Sequence, residues 1–187
     1  MKETNSEYVG RKDAWIEQIM DEYGERLTKL AYNYLKDWNL AEDVVQDVFI
    51  TCYHHFENMD TIVYFKSWIY KITINKCKDT LKSLYMKRVI HDSNLFRFFH
   101  AKELTPEMSL IYQSDEELLS ISVLSLPIKY REVITLYYYE ELSIEEISEL
   151  LLLNKNTIKT RLNRGREKLK VIMERSEGNG GKANKFT

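Results

Sequence analysis

Glycine and proline are nearly missing where a chain of this size would use them most. Only Gly165 stands between Gly24 and Gly178, and the prolines are Pro106 and Pro127. A glycine-rich loop that cradles phosphate cannot be assembled from so few, and tight β-hairpin turns are equally hard to supply. Cys52 and Cys77 make neither a zinc pattern nor a disulfide framework, which suits a reducing cytoplasm and two small buried hydrophobes. His54, His55, His91 and His100 show no metal-ligand spacing, so no metal and no other cofactor is expected. The start is polar and no long apolar run occurs, so neither a signal peptide nor a membrane span is expected. These absences leave an all-α fold.

Apolar spacing supplies the helices. Ile16, Ile19, Met20, Tyr23, Leu27, Leu30, Ala31 and Tyr34 recur every three or four residues after the polar start. A second stripe runs from Ala41 through Val44, Val45, Val48, Phe49, Cys52 and Tyr53. A third begins near Phe65 with Trp68, Ile69, Ile72, Cys77, Leu81 and Leu84. Three such stripes close one small core. Residues 86–113 lose the periodicity and read as a flexible linker with at most a short helix. Ser114 and Glu117 form a capping box that opens a second block (Leu118, Leu119, Ile121, Leu124), which Pro127 breaks. A further helix follows through Tyr130, Val133, Ile134 and Tyr137. The domains expected are therefore 12–85, a linker 86–113, a second domain 114–175, and a disordered tail 176–187 rich in glycine.

The net charge of −2 conceals a strong segregation. Residues 154–175 hold eight Lys or Arg against two Glu, and residues 66–88 hold seven against Asp79 alone. Residues 37–60 and 132–149 carry six acids each and no Lys or Arg. Two basic and two acidic segments suggest a polyanion and a second, different partner.

The sharpest local pattern lies in the second block. Ser143 and Glu146 make a capping box, and Ile144, Ile147, Leu150 and Leu151 share a face. After a tight turn, Asn154 and Asn156 stand ready to cap a second helix whose apolar stripe is Ile158, Leu162, Leu169 and Ile172. Its other side carries Lys155, Asn156, Thr157, Lys159, Thr160, Arg161, Asn163 and Arg164. A helix-turn-helix with a cationic, amide-rich face suits the DNA major groove. An ordinary solvated helix is the plainer alternative.

The first block has its own signals. Asp43 and Asp47 lie four apart with Gln46 beside them, a spacing mildly destabilising to an isolated helix. A docking surface for a basic partner would favour it, and a solvated acidic face is the competing reading. Beyond a loop at 57–64, Tyr64, Lys66, Lys71, Asn75 and Lys76 interleave aromatic, amide and cationic groups. Such a surface stacks unpaired bases while lysines hold phosphates. Trp68 shares the apolar stripe and reads as core.

AEDVVQDVF followed by FKSWIYKITINKCKDTL resembles region 2 of a bacterial sigma-70-type sigma factor. SLPIKYREVITLYYYEELSIEEISELLLLNKNTIKTRLNRGREKL resembles region 4. With both blocks, a short linker and no full region 3, the chain resembles the extracytoplasmic-function (ECF) group. The resemblance implies a non-enzymatic promoter-specificity subunit, cytoplasmic and nucleoid-associated in holoenzyme, serving a stress or envelope response. It implies core RNA polymerase and promoter DNA as partners, an anti-sigma factor as a third, and no small-molecule substrate. It assigns Asp43, Gln46 and Asp47 to the coiled coil of the largest polymerase subunit. It assigns residues 57–66, Asn75 and Lys76 to the −10 element, and Lys159, Thr160, Asn163 and Arg164 to the −35 element.

The chain also departs from that pattern. Leu152 stands where the family often has Gly, and a non-Gly residue at positive φ costs about 1 kcal/mol. Asn154 stands where Pro often follows, and Gly165 replaces a frequent Ala, weakening the helix by about 1 kcal/mol. Twenty-eight linker residues extend to at most about 90–100 Å, enough for elements two duplex turns, about 70 Å, apart. Two rival readings remain: an autonomous helix-turn-helix regulator, and an enzyme with a DNA-binding tail, for which no catalytic constellation is present.

Overall fold

A computed structural model describes residues 5–62, 64–91 and 115–183, all of them helix or connecting turn with no strand. The chain separates into two compact units, Met1–Arg88 and Val89–Thr187.

In the first unit, helix α1 (Asn5–Leu35) packs along α2 (Trp38–His54). Their connection is two residues long. Lys36 turns the chain in the left-handed region at φ 56°, and Asp37 caps α2 by accepting from the Leu40 amide at 3.1 Å. A 3₁₀ turn (Phe56–Thr61) leads to α3 (Phe65–His91). The core is Leu27, Leu30, Ala31 and Tyr34 of α1, Val44, Val45, Val48 and Cys52 of α2, and Ile69, Tyr70, Ile74 and Cys77 of α3. Burial pushes the Cys52 and Cys77 thiols up to about 12, so both stay protonated and inert.

Helix α1 begins at Asn5, well ahead of the apolar stripe that starts at Ile16. Aromatic contacts account for its first turns. Tyr8 and Trp15 meet the Phe56 ring at 5.8 and 5.4 Å, Trp15 meets Phe65 at 5.9 Å, and the Tyr8 hydroxyl donates to Glu57 at 2.8 Å. Trp68, expected in the core, is half-buried and lies edge-on to His55 at 5.7 Å. Helix α3 also continues past residue 85, where the sequence places the linker, to His91. Once a helix is nucleated, each added residue gains a hydrogen bond without a new nucleus.

The second unit uses shorter helices: α4 (Asp115–Ser125), α5 (Ile128–Ile134), α6 (Ile144–Leu151) and the long α7 (Lys155–Ala183). The expected capping box at Ser114 falls outside the described residues. Pro127 ends α4, and the buried Arg131 reaches back to donate to Leu124 O at 2.6 Å and Leu126 O at 3.1 Å. A charged side chain thus closes the carbonyl end of a helix inside the core. α5 widens into a π-helical stretch, Thr135–Tyr139, closed by Glu140 N–H on Thr135 O at 3.2 Å. The wider turn rotates Tyr137, Tyr138 and Tyr139 outward, although spacing puts Tyr137 with Val133 and Ile134 in the core.

Two more sequence expectations differ from the structure. Gly165 is not simply a weak point in α7. It is buried against α5, and a Cβ there would stand 3.0 Å from Ile134 Cγ1. The missing side chain is what lets the two helices approach. The tail expected to be disordered from 176 is helical through Ala183, as propagation from the packed part of α7 allows.

Candidate polymerase and nucleic-acid interfaces

On α2 the buried residues Ala41, Val44, Val45, Val48 and Cys52 form one stripe, so the residues between them are forced outward. Asp43, Gln46 and Asp47 are all exposed there. Ile50, which spacing does not single out, continues the same face and is 55% exposed, an apolar patch beside the two carboxylates. Asp47 also meets Lys76 of α3 at 3.7 Å. One residue from each of two expected sites therefore share a surface ion pair, worth about 0–1 kcal/mol.

The second expected set divides. Tyr64 is 76% exposed at the mouth of α3. Lys71 and Asn75 are exposed one turn apart, and Lys78 and Lys82 extend the same face by two more turns. Lys66 and Lys76 are half-buried on another side, Lys66 with its ammonium 5.9 Å from the Tyr70 ring. Lys78 and Lys82 are additions that the i, i+4, i+7, i+11 spacing from Lys71 already contained.

The helix-turn-helix is built as the sequence reads it, with more detail. Ser143 Oγ accepts from the Glu146 amide at 3.2 Å, and the Ser143 amide donates to Glu146 at 2.8 Å. Leu152 ends α6 in the left-handed region, φ 55° and ψ 42°, and is 78% exposed. Asn154 caps α7, accepting from the Thr157 amide at 2.7 Å and the Thr157 hydroxyl at 2.9 Å. Lys155 pairs with Glu145 at 2.8 Å and, by hydrogen bond and charge, holds that carboxyl below its ordinary pKa.

The eight expected −35 residues fall into three groups. Asn156, Lys159, Thr160 and Asn163 point to solvent, and Asn163 accepts from Arg166. Lys155 leans toward α6. Thr157, Arg161 and Arg164 lie on the flank facing α5, where Arg161 meets the buried Glu132 at 2.8 Å. Arg161 is thus committed to the packing of α7 on α5, a long-range contact that spacing cannot show. Among the described residues no group of three or more His, Cys, Asp and Glu could hold a metal ion, and no helix is long and apolar enough to cross a membrane.

The chain is similar to known proteins over most of its length. Residues 19–85 match sigma-70 region 2, and residues 122–169 match sigma-70, region 4. The ECF RNA polymerase sigma factor SigW of Bacillus subtilis (strain 168) is 32% identical over 168 residues, covering 86% of this chain and 89% of that one. SigM of the same strain is 28% identical over 160 residues, covering 86% and 96%. The fold resembles that of the sigma factor RpoE in its co-crystal structure with the anti-sigma factor NepR from Bartonella quintana. The TM-score is 0.67 at 20% identity, covering 84% of this chain and 96% of that one. Region 2 followed by region 4 defines a factor that directs RNA polymerase to promoters at initiation. The chain belongs to the ECF sigma factors of the sigma-70 family.

Proposed function

We propose a division of labour among the three exposed faces. Asp43, Gln46, Asp47 and the apolar Ile50 dock on a basic surface of core RNA polymerase. Tyr64 and the Lys71–Asn75–Lys78–Lys82 face of α3 hold the strand released at the −10 element, with Lys66 and Lys76 at its margin. Asn156, Lys159, Thr160 and Asn163 of α7 meet the −35 element in the major groove. Amides there make paired hydrogen bonds to base edges, worth about 1–3 kcal/mol of discrimination each, while Lys159 anchors a phosphate. No step needs a catalytic residue. Opening requires only that binding favour the strand-separated state, against an unstacking cost of a few kcal/mol per step. The factor works in the cytoplasm, in a stress or envelope response, and an anti-sigma protein restrains it, as NepR accompanies its relative.

The observation that carries this reading is the placement of charge. An acidic face and two cationic faces stand on helices whose cores are complete without them. An autonomous DNA-binding regulator has no use for the α2 face. The test is therefore assembly with core polymerase. Asp43→Arg with Asp47→Arg should leave the helical circular-dichroism signal unchanged and weaken holoenzyme assembly tenfold or more. Wild-type assembly by the folded double variant would refute the docking role. A second test separates opening from affinity: Asn75→Ala should lose more open complex on duplex promoters than on templates premismatched at −10.

A further inference from the structure

Between α5 and the start of α7 lies a solvent-open groove of about 510 Å³, and none of the residues lining it is acidic. Lys129 and Tyr130 of α5 form one wall; Asn156, Thr157, Thr160 and Arg164 of α7 form the other. The Tyr130 ring is buried, at 7% exposure, and the residue shares this groove with Arg164 and Lys129. The Lys129 and Lys168 ammonium groups stand 5.1 and 5.9 Å from the same ring's centroid. Glu132, one turn along α5, is already engaged by Arg161.

Cations that converge without a carboxylate repel one another and are stabilised by an anion between them. The Tyr130 phenol registers that field. Desolvation works to raise its pKa, yet hydrogen bonding and charge from Arg164 and Lys129 outweigh it and hold the phenol below its ordinary value. An anion at the hydroxyl is favoured. Phosphate oxygens are the usual acceptors for Arg, Lys and Tyr donors at a DNA interface.

The geometry points to a backbone-phosphate site for promoter DNA, formed by Lys129, the Tyr130 hydroxyl and Arg164, by which α5 grips the duplex that α7 reads. The site rests on the −35 reading above and adds two residues outside the helix-turn-helix. It also gives Arg164 a phosphate partner in place of a base edge.

The test uses the full chain assembled with core RNA polymerase on a promoter with a −35 element, from about 50 to 200 mM salt. One fewer phosphate contact flattens the slope of log affinity against log salt by about 0.9. The deficit of Lys129→Gln should therefore shrink about three- to fourfold across that range. Base preference over a randomised −35 element should stay as in wild type for Lys129→Gln, Tyr130→Phe and Arg164→Gln. Single uncharged methylphosphonates should weaken wild type at one phosphate, where Lys129→Gln and Tyr130→Phe are insensitive. Tyr130→Phe keeps the buried ring, so its loss reports the hydroxyl and not the packing. An unchanged salt slope in Lys129→Gln, or no methylphosphonate that distinguishes it from wild type, overturns the phosphate site alone. A wild-type holoenzyme indifferent to the −35 sequence overturns the −35 reading and this inference together.

Discussion

The two units bury different kinds of side chain. In the first, the described buried residues are apolar except Thr73, whose hydroxyl folds back onto Ile69 O at 2.8 Å. In the second, Ser122, Arg131, Glu132, Thr135 and Glu140 are all buried. Helix length explains the Arg131 part of the contrast. α1 and α3 run for 31 and 27 residues, so most of their backbone groups are met within the helix. α5 and α6 have 7 and 8 residues, and nearly every backbone group in them belongs to a terminal turn. Arg131 closes such an end on the Leu124 and Leu126 carbonyls, Glu132 pairs with Arg161, and Ser122 folds back onto Leu118 O as Thr73 does onto Ile69 O. The first unit is held by apolar area; the second has an apolar core of its own and adds the Arg131 and Glu132 bonds to it.

The strongest way to break that contrast is Arg131→Met. The side chain keeps its length, but the Leu124 and Leu126 carbonyls lose their charged donor, at a cost of about 3 kcal/mol. Trp15, Trp38 and Trp68 all lie in the first unit, so urea unfolding resolves the two. Circular dichroism should show an early transition while the tryptophan fluorescence midpoint stays put. A matching fall in fluorescence would mean that the units unfold as one.

A smaller effect sharpens the comparison through two helical glycines. A Cβ at Gly24 in α1 meets nothing closer than Phe49 Cζ at 4.0 Å, so Gly24→Ala should stabilise the first unit by up to about 1 kcal/mol. A Cβ at Gly165 meets Ile134, which is buried and stiff at χ1. Overpacking of about 1–3 kcal/mol exceeds the propensity gain there, so Gly165→Ala should destabilise the second unit. Shifts of the same sign in the two thermal midpoints would refute this account. Smallest is Leu152→Gly, which relieves a left-handed backbone without removing a packed side chain. After the entropy cost of glycine, about 0.5 kcal/mol of stabilisation should remain, read as a slightly higher midpoint by circular dichroism.

Local features were legible in the sequence, and long-range ones were not. The Ser143–Glu146 box, the Asn154 cap and the exposure of Asp43, Gln46 and Asp47 depend on residues three or four apart, which spacing reports directly. The Arg161–Glu132 pair, the fit of Gly165 on Ile134 and the Arg131 closure join separate helices, and no periodicity encodes them. The π-helical stretch shifts the phase of the chain by one residue, which makes outward tyrosines look inward to a strict 3.6-residue repeat. Early α1 escaped because its partners are aromatic rings on another element, not an apolar stripe of its own.

The double anchoring of the start of α7 has a practical consequence. Asn154 fixes its first turn from one side, and Lys155 with Glu145 ties it to α6 from the other. The exposed positions 156, 159, 160 and 163 play no part in either attachment through their side chains. They form an exchangeable cassette on a fixed mount. A library randomised at those four positions should therefore yield mostly folded proteins, and a selection on altered −35 sequences would sample specificity without also sampling collapse.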